Sequence, residues 1–501
     1  MPFPQKGILE RPPSHLLLVA LNFAGDRTPA ASWQALDTLA ALVQRDLDRN
    51  LDEMTGAPKD QPPPETGELG FDDKYPLRRL SVTLGVSNLG FDALGIVGAE
   101  RPQDLPPSPQ TMWDLIGGAP ELHESGDLLL QIRSEDPYMN EHVVRRIEEE
   151  LGVEFAILWT QTGESRYTAH AEDLNRKRRL EARALIGFLD GTSNLRPYAD
   201  PADRALVFVD PARVAEYPPL PPPSQGTYGG ATFPPPGLRD RPTSEPEWTR
   251  EGTYAVVRAS VNEIKSWDTS SYDDQEKTIG RFKVSGASLD LADDAVRVDE
   301  PPAFELDQSN LTVPLNSHVR KVNPRRPEDL PRRIFRRGYP LIERTAGGMR
   351  RGLVFICFAR TISTQFEFIF RAWMDNPDFS PVPGQPSPGK DRLLEHFDQQ
   401  VVVGGYYFVP ALRRRRKLTS WVLPRPPGEP VGGENGEREG GADRARCSCT
   451  SERVDLASVP CARYANRAQF RGRPALRRQH AESLIAVAHG ETFGSTFARL
   501  S

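Results

Sequence analysis

Four cysteines in 501 residues are too few to staple a fold of this size, so a disulfide framework is excluded and stability must come from an apolar core. Cys357 lies in the apolar run LVFICF and reads as a small buried hydrophobe. Cys447, Cys449 and Cys461 form a C-x-C pair with a distant third, short of the four ligands of a structural zinc site, and read as free thiols. Histidine is scarce as well, with eight in the chain, and a lone histidine is more often structural than a ligand. No apolar run of about 18 residues occurs, so no membrane-spanning helix is expected. The opening MPFPQKGILERPPSH has neither a charged-then-apolar leader nor a twin arginine, and the expectation is a cytoplasmic protein. Positive charge is not in excess: 63 Lys plus Arg face 69 Asp plus Glu, a net of -6. That balance argues against a protein that coats nucleic acid through its overall field, and neither nucleic acid nor a membrane is expected as a partner.

Proline, by contrast, is abundant, with 48 residues, so long irregular connections are expected. In chain order, residues 14–23 read as a strand and 32–52 as an amphipathic helix with Leu36, Leu39, Leu42 and Val43 on one face. Residues 56–75 read as loop, 79–84 and 127–134 as strands, 137–151 as a helix and 153–161 as a strand. The order β-α-β-β-α-β is the ferredoxin-like pattern. Residues 194–247, with PPLPPPSQGTYGGATFPPPG at their centre, read as a Pro-rich surface loop, with a polyproline ligand as the other reading. The pattern then repeats: strand 253–261, helix 271–282, strand 353–360, helix 363–373 and strand 401–409, with an acidic loop over 290–305. The last 90 residues, 412–501, hold 17 Lys plus Arg against 9 Asp plus Glu. The run Arg413 to Lys417 reads as a solvated basic tail or an acidic-surface binder, residues 425–445 as disordered, and 476–489 as a short amphipathic segment.

Two distant segments carry chemistry. Gly187 to Asn194, GFLDGTSN, sets an acid between glycines after an apolar run. Asn316 to Tyr339, NSHVRKVNPRRPEDLPRRIFRRGY, holds His318, two arginine-rich runs, and Ile334 and Phe335 opening a strand. Together they resemble the dye-decolorising peroxidase family: GFLDGTSN its GxxDG motif, SHVRKVNPR its proximal-histidine segment and IFRRGY its distal-arginine strand. Three further blocks agree in order: GDLLLQI from Gly126, Glu251 to Leu289, and GLVFICFAR from Gly352. The resemblance spans residues 8 to 411. It departs at Leu195, where comparable members have proline.

The resemblance implies an α+β fold of two ferredoxin-like halves packed as a dimeric α+β barrel-like domain. Residues 8–200 would form the first half, 201–250 an insertion, 251–411 the haem-binding second half and 412–501 a tail. It implies haem b, with His318 as the iron ligand and Asp391 as the acid behind it; a helix N-cap is the other reading of Asp391. Asp190 would serve as the distal acid–base group and Arg336 as the charge stabiliser, with Arg337 turned to the other side of its strand. Leu353 and Phe355 would wall the distal pocket or belong to the ordinary core. Arg320 and Asn194 are candidate propionate partners, and Trp267, Trp373 and Tyr339 candidate electron relays. The implied function is a haem peroxidase that reduces hydrogen peroxide through a ferryl intermediate and oxidises phenolic or dye-like donors, with homo-oligomers compatible. The alternatives are a haem- or porphyrin-handling protein, to which an acid–base pair is superfluous, and an interaction module built on the Pro-rich loop and tail.

Overall fold

The structure, a computed structural model, describes residues 2–10, 12–25, 27–55, 80–106, 125–165, 167–169, 180–221, 234–235, 237–262, 265–293, 304, 312–345, 348–379, 387–396, 399–415 and 418–424. The first half runs β1 (His15–Phe23), α1 (Pro29–Thr55), β2 (Ser81–Val86), β3 (Leu128–Ser134), α2 (Pro137–Leu151) and β4 (Phe155–Glu164). The second runs β5 (Thr253–Asn262), α3 (Tyr272–Ile279), α4 (His318–Val322), β6 (Phe335–Arg336), β7 (Tyr339–Thr345), β8 (Gly348–Ala359), two π-helical turns (Ile362–Glu367 and Ile369–Met374), α5 (Arg392–His396) and β9 (Gln399–Val409).

Burial explains why β1 is apolar without alternation. Leu16 to Leu21 are all buried, and the pleat sends them to two different cores. Leu17, Val19 and Leu21 pack under the helices with Leu36 and Leu39 of α1 and Val143 and Ile147 of α2. Leu16, Leu18 and Ala20 face the opposite core, with Val257, Val354 and Phe358. Each such side chain contributes about 1.5–3 kcal/mol when fully buried. Helix α2 starts where Pro137 presets the backbone and the Asp136 carboxylate accepts from the Tyr138 amide.

The strands form one nine-stranded sheet in the order β4-β1-β3-β2-β9-β5-β8-β6, with β7 also on β8. Each half follows the ferredoxin-like order, and the halves join where Val86 of β2 pairs antiparallel with Phe408 of β9. The sheet then curls until β4 and β7, from opposite halves, lie side by side. A Cβ on Gly163 of β4 would come 2.7 Å from that of Tyr339, so glycine sets how closely these strands approach. The Tyr339 hydroxyl donates to the Pro13 carbonyl at 3.0 Å across the same seam. The fold is thus the expected α+β architecture, its barrel closed within one chain.

Three expectations change. Residues 363–373 are π-helical, not α-helical: the buried Asp104 carboxylate accepts from the amides of Ile362 (2.6 Å) and Ser363 (2.9 Å) and anchors the start of the turns. Residues 194–247 are not simply surface loop. Leu195, Leu206, Val207 and Phe208 fill the second core, and two short helices, Pro201–Val207 and Pro211–Glu216, open on Pro behind Asp200 and Asp210 caps. At the head of the expected tail, Leu412–Arg415 and Leu418–Trp421 form a hairpin, and the Leu412 amide donates to the Phe3 carbonyl at 2.7 Å. The readings of 56–75, most of the polyproline run, Cys447, Cys449, Cys461, 425–445 and 476–489 lie outside the described residues. Among the described residues, no helix is long and apolar enough to cross a membrane.

Glu245 ties this framework together. Its buried carboxyl accepts from the Tyr254 hydroxyl at 2.5 Å and the Gln103 amide at 3.2 Å, and burial pushes its pKa up to about 8. The folded state therefore holds a proton that the unfolded chain has already lost, so this contribution is complete below about pH 4.5 and disappears as pH rises through about 8. Wild-type stability should fall across that window relative to Glu245→Gln, by up to about 1.4 kcal/mol per pH unit. Urea unfolding of both proteins from pH 5 to 8 checks it; parallel curves would contradict it.

Candidate functional site

A cavity of about 260 Å³ lies between the helix-facing side of the second-half sheet and the helices that cover it. Its sheet wall carries Arg336 of β6, Leu353 and Phe355 of β8 and Arg258 of β5. Registers explain this grouping: Phe355 pairs with Arg258 and Cys357 with Arg336, and residues 355 and 357 share a face. Leu353 and Phe355 therefore wall the cavity as well as contributing apolar surface. Cys357 is a buried free thiol whose pKa burial pushes up to about 12.

Opposite stands His318, the first residue of α4. Its Nδ1 lies 2.8 Å from Asp391 Oδ2, no described residue pairs with Nε2, and the residue lines the cavity. Asp391 is wholly buried. Its two oxygens are divided, Oδ1 accepting from the Leu393 amide at 2.9 Å at the start of α5 while Oδ2 meets the imidazole. Its backbone is pinned too, its own amide donating to Met374 O at 2.8 Å and the Arg392 amide to Asn316 O at 3.0 Å. A carboxylate set this way orients the ring and makes Nε2 a stronger donor to a metal.

The Gly187 to Asn194 segment forms the third side. Gly187 (φ +91°) and Gly191 (φ +76°) both occupy the left-handed region, which explains glycine at each end of the motif. Asp190 is exposed at the cavity mouth, one carboxylate oxygen accepting from the Gly191 amide at 2.7 Å. Asn194 does not line the cavity; its side-chain oxygen accepts from the Arg336 amide (3.1 Å) and its NH2 donates to the Arg336 carbonyl (2.9 Å), imitating a strand partner. The Arg336 guanidinium then donates to Thr192 O at 2.8 Å.

Arg320 lies away from the cavity, its guanidinium donating to Val313 O at 2.7 Å. Arg337 turns to the other face of its strand, to the carbonyls of Ile8 and Leu9. Trp267, Trp373 and Tyr339 are all buried, so none is a surface aromatic. The reading from residues missed four lining arginines: Arg258, Arg281, Arg325 and Arg333. Arg258 interrupts an apolar strand, YAVVRAS, which was a signal; Arg325 and Arg333 are hidden in arginine pairs, and Arg281 lies just past the end of a helix. Arg325 is depressed to about 9, chiefly by burial and further by the positive charges of Arg281, Arg336 and Arg333. Such a cluster complements an anionic group.

Residues 5–164 match the N-terminal and 238–414 the C-terminal domain of the Dyp-type peroxidases. The chain belongs to this family. Among solved structures, the DyP-type peroxidase from Cellulomonas bogoriensis is 23% identical, covering 84% of this chain and 94% of its own, with a TM-score of 0.56. An oxyferrous complex of DtpA from Streptomyces lividans is 22% identical over 84% and 94%, with a TM-score of 0.58. At these identities the likeness speaks for the fold. Among curated relatives, a deferrochelatase of Yersinia pseudotuberculosis is 27% identical over 307 residues, and one of Escherichia coli 25%. The match covers 61% of this chain and 61% of the Yersinia protein, about three-fifths of its length.

The Asn194 clamp makes a prediction that separates fold from chemistry. Asn194→Ala leaves the Arg336 backbone unpaired at a strand edge and should cost about 1–3 kcal/mol in urea unfolding, whereas Arg336→Leu should cost less. Equal losses in the two variants would argue against the clamp.

Proposed function

We propose that this chain is a haem peroxidase that reduces hydrogen peroxide and oxidises phenolic or dye-like aromatic donors, with haem b as its cofactor. One observation carries the reading: an imidazole oriented by a buried carboxylate faces, across one cavity, an aspartate at the mouth and an arginine on the opposite wall. The donor set suits a haem and not a bare ion. Among the described residues no three His, Cys, Asp or Glu side chains surround a metal position, so iron at His318 needs equatorial donors of its own, as a porphyrin provides. Leu353, Phe355, Ile369 and Phe370 would pack on its ring, and Arg281, Arg325 and Arg333 would meet its carboxylates.

Bound haem supplies the iron at which peroxide is reduced and the electrons for that reduction. The chain's own work is proton movement and charge stabilisation. Asp391 accepts from His318 Nδ1–H and so keeps Nε2 unprotonated for the metal. The Asp190 carboxylate takes the proton from one peroxide oxygen and returns it to the other, directly or across one water. Arg336, held by Thr192 and Asn194, places a permanent positive charge where negative charge grows on the leaving oxygen. Because Asp190 is exposed, peroxide and small aromatic donors would enter on its side.

The names of the curated relatives favour a second reading, release of iron from haem, on the same site. Asp190 and Arg336 together weigh against it, because a protein that only handles haem needs the ligand and not an acid–base pair.

Reconstitution with haem decides between them. His318→Ala should abolish the Soret band of the loaded protein. Asp190→Asn and Arg336→Leu should retain it but respond to one equivalent of peroxide at least about a hundredfold more slowly, the usual scale for lost acid–base catalysis. Asp391→Asn should keep its cap and fold while shifting the Soret band. Haem binding with no spectral response to peroxide in wild type would favour the iron-release reading; no haem binding would sink both.

A further inference from the structure

Among the described residues, four of the five lining arginines are tied down. Arg281 donates to Gly286 O (2.7 Å) and Ser193 Oγ (2.8 Å), Arg325 to Asn323 O (2.7 Å), Arg333 to Asp203 (2.9 Å) and Arg336 to Thr192 O (2.8 Å). Arg258 differs. Only 8% of it is exposed, its Nε and Nη1 are buried without a hydrogen-bond partner, and it forms no ion pair among the described residues. Strand register fixes where it points: it sits opposite Phe355 on one side and Gly404 on the other, and the Phe355 ring centroid lies 5.5 Å from its guanidinium. The neighbours that oppose its loss of charge are the Tyr406 hydroxyl and the Cys357 thiol, neither a carboxylate, and burial lowers its pKa to about 10. A buried guanidinium with no acid and no carbonyl is costly to keep, and in a cavity wall it is the natural partner of something that enters.

We propose that Arg258 is a second cation on the wall facing His318, and that it binds small anionic ligands, deprotonated peroxide and its stand-ins azide, fluoride and formate, as they occupy the cavity. This rests on the haem reading above and deepens it. Arg336 is committed at its backbone and side chain to the Asp190 loop, whereas Arg258 comes from a central strand between β8 and β9 with its donors uncommitted. Arg336 would then stabilise charge at the loop side and Arg258 would hold the anion from the sheet side. The Phe355 ring lies 5.5 Å from the Arg258 guanidinium, on the strand paired with it, so a docked anion would meet a donor fork set against a ring in the same wall.

The test uses the haem-loaded full chain as wild type, Arg258→Met and Arg258→Lys, titrated with fluoride, formate and azide by the Soret shift, with haem retention and apo-protein Tm measured alongside. Methionine keeps comparable length without charge, so the Tm of the apo-protein should hold or rise. Anion binding should weaken by about tenfold or more, less in the lysine variant, as a charge-assisted fork is replaced by nothing or by a point charge. Anion affinity within about twofold of wild type in the methionine variant would overturn the proposal. So would loss of haem retention with anion affinity unchanged, which would make Arg258 a partner of a haem carboxylate. Should the methionine variant not fold, the lysine variant decides: a weakening of about threefold or more supports the proposal, and none overturns it. If wild type takes up no haem, the peroxidase reading fails first and this inference falls with it.

Discussion

Like charges held together in an apolar cavity are the constraint around which the second half is arranged. Among the described residues five arginines and one aspartate line the same space, and Arg325 registers first its burial and then the repulsion of its neighbours. In water such a cluster would disperse; here, among the described residues, each guanidinium but one is pinned by carbonyls, a hydroxyl or an acid. A cluster of this kind complements an anionic group.

The same division of labour governs the two walls. Strands β5, β6 and β8 are rigid because both faces are buried, so side chains that leave their cavity face are fixed in direction. The opposing wall is assembled from short pieces, α4, the π-helical turns and α5, stitched by backbone bonds such as Asp391 N to Met374 O. Asp391 is where these pieces meet, since one carboxylate oxygen starts a helix and the other fixes an imidazole. The π-helical turns bring Phe366, Ile369 and Phe370 to the cavity, with their start anchored on Asp104. The bonds that hold these short pieces together therefore also set where the site side chains stand.

What the residues alone determined is considerable and has a physical reason. Short apolar runs located most strands of the large sheet and period-3.6 patterns the long helices, because burial on two faces or on one leaves those marks locally. His318, Asp190 and Arg336 stood out because their motifs, in order along the chain, resemble those of one family, and alternation set Arg337 on the other side of the strand from Arg336. Only the tertiary structure decided the rest. It gave Asn194 a backbone to clamp instead of a cofactor, moved Arg320 out of the cavity, buried Trp267, Trp373 and Tyr339, and drew Leu195, Leu206 and Phe208 into the core from a stretch that reads as loop. It also set Arg258 and Arg281 beside Asp190, more than sixty residues away in sequence. Contacts between distant segments leave no periodicity in a chain; they are settled when sheet register and closure choose which side chains share one space.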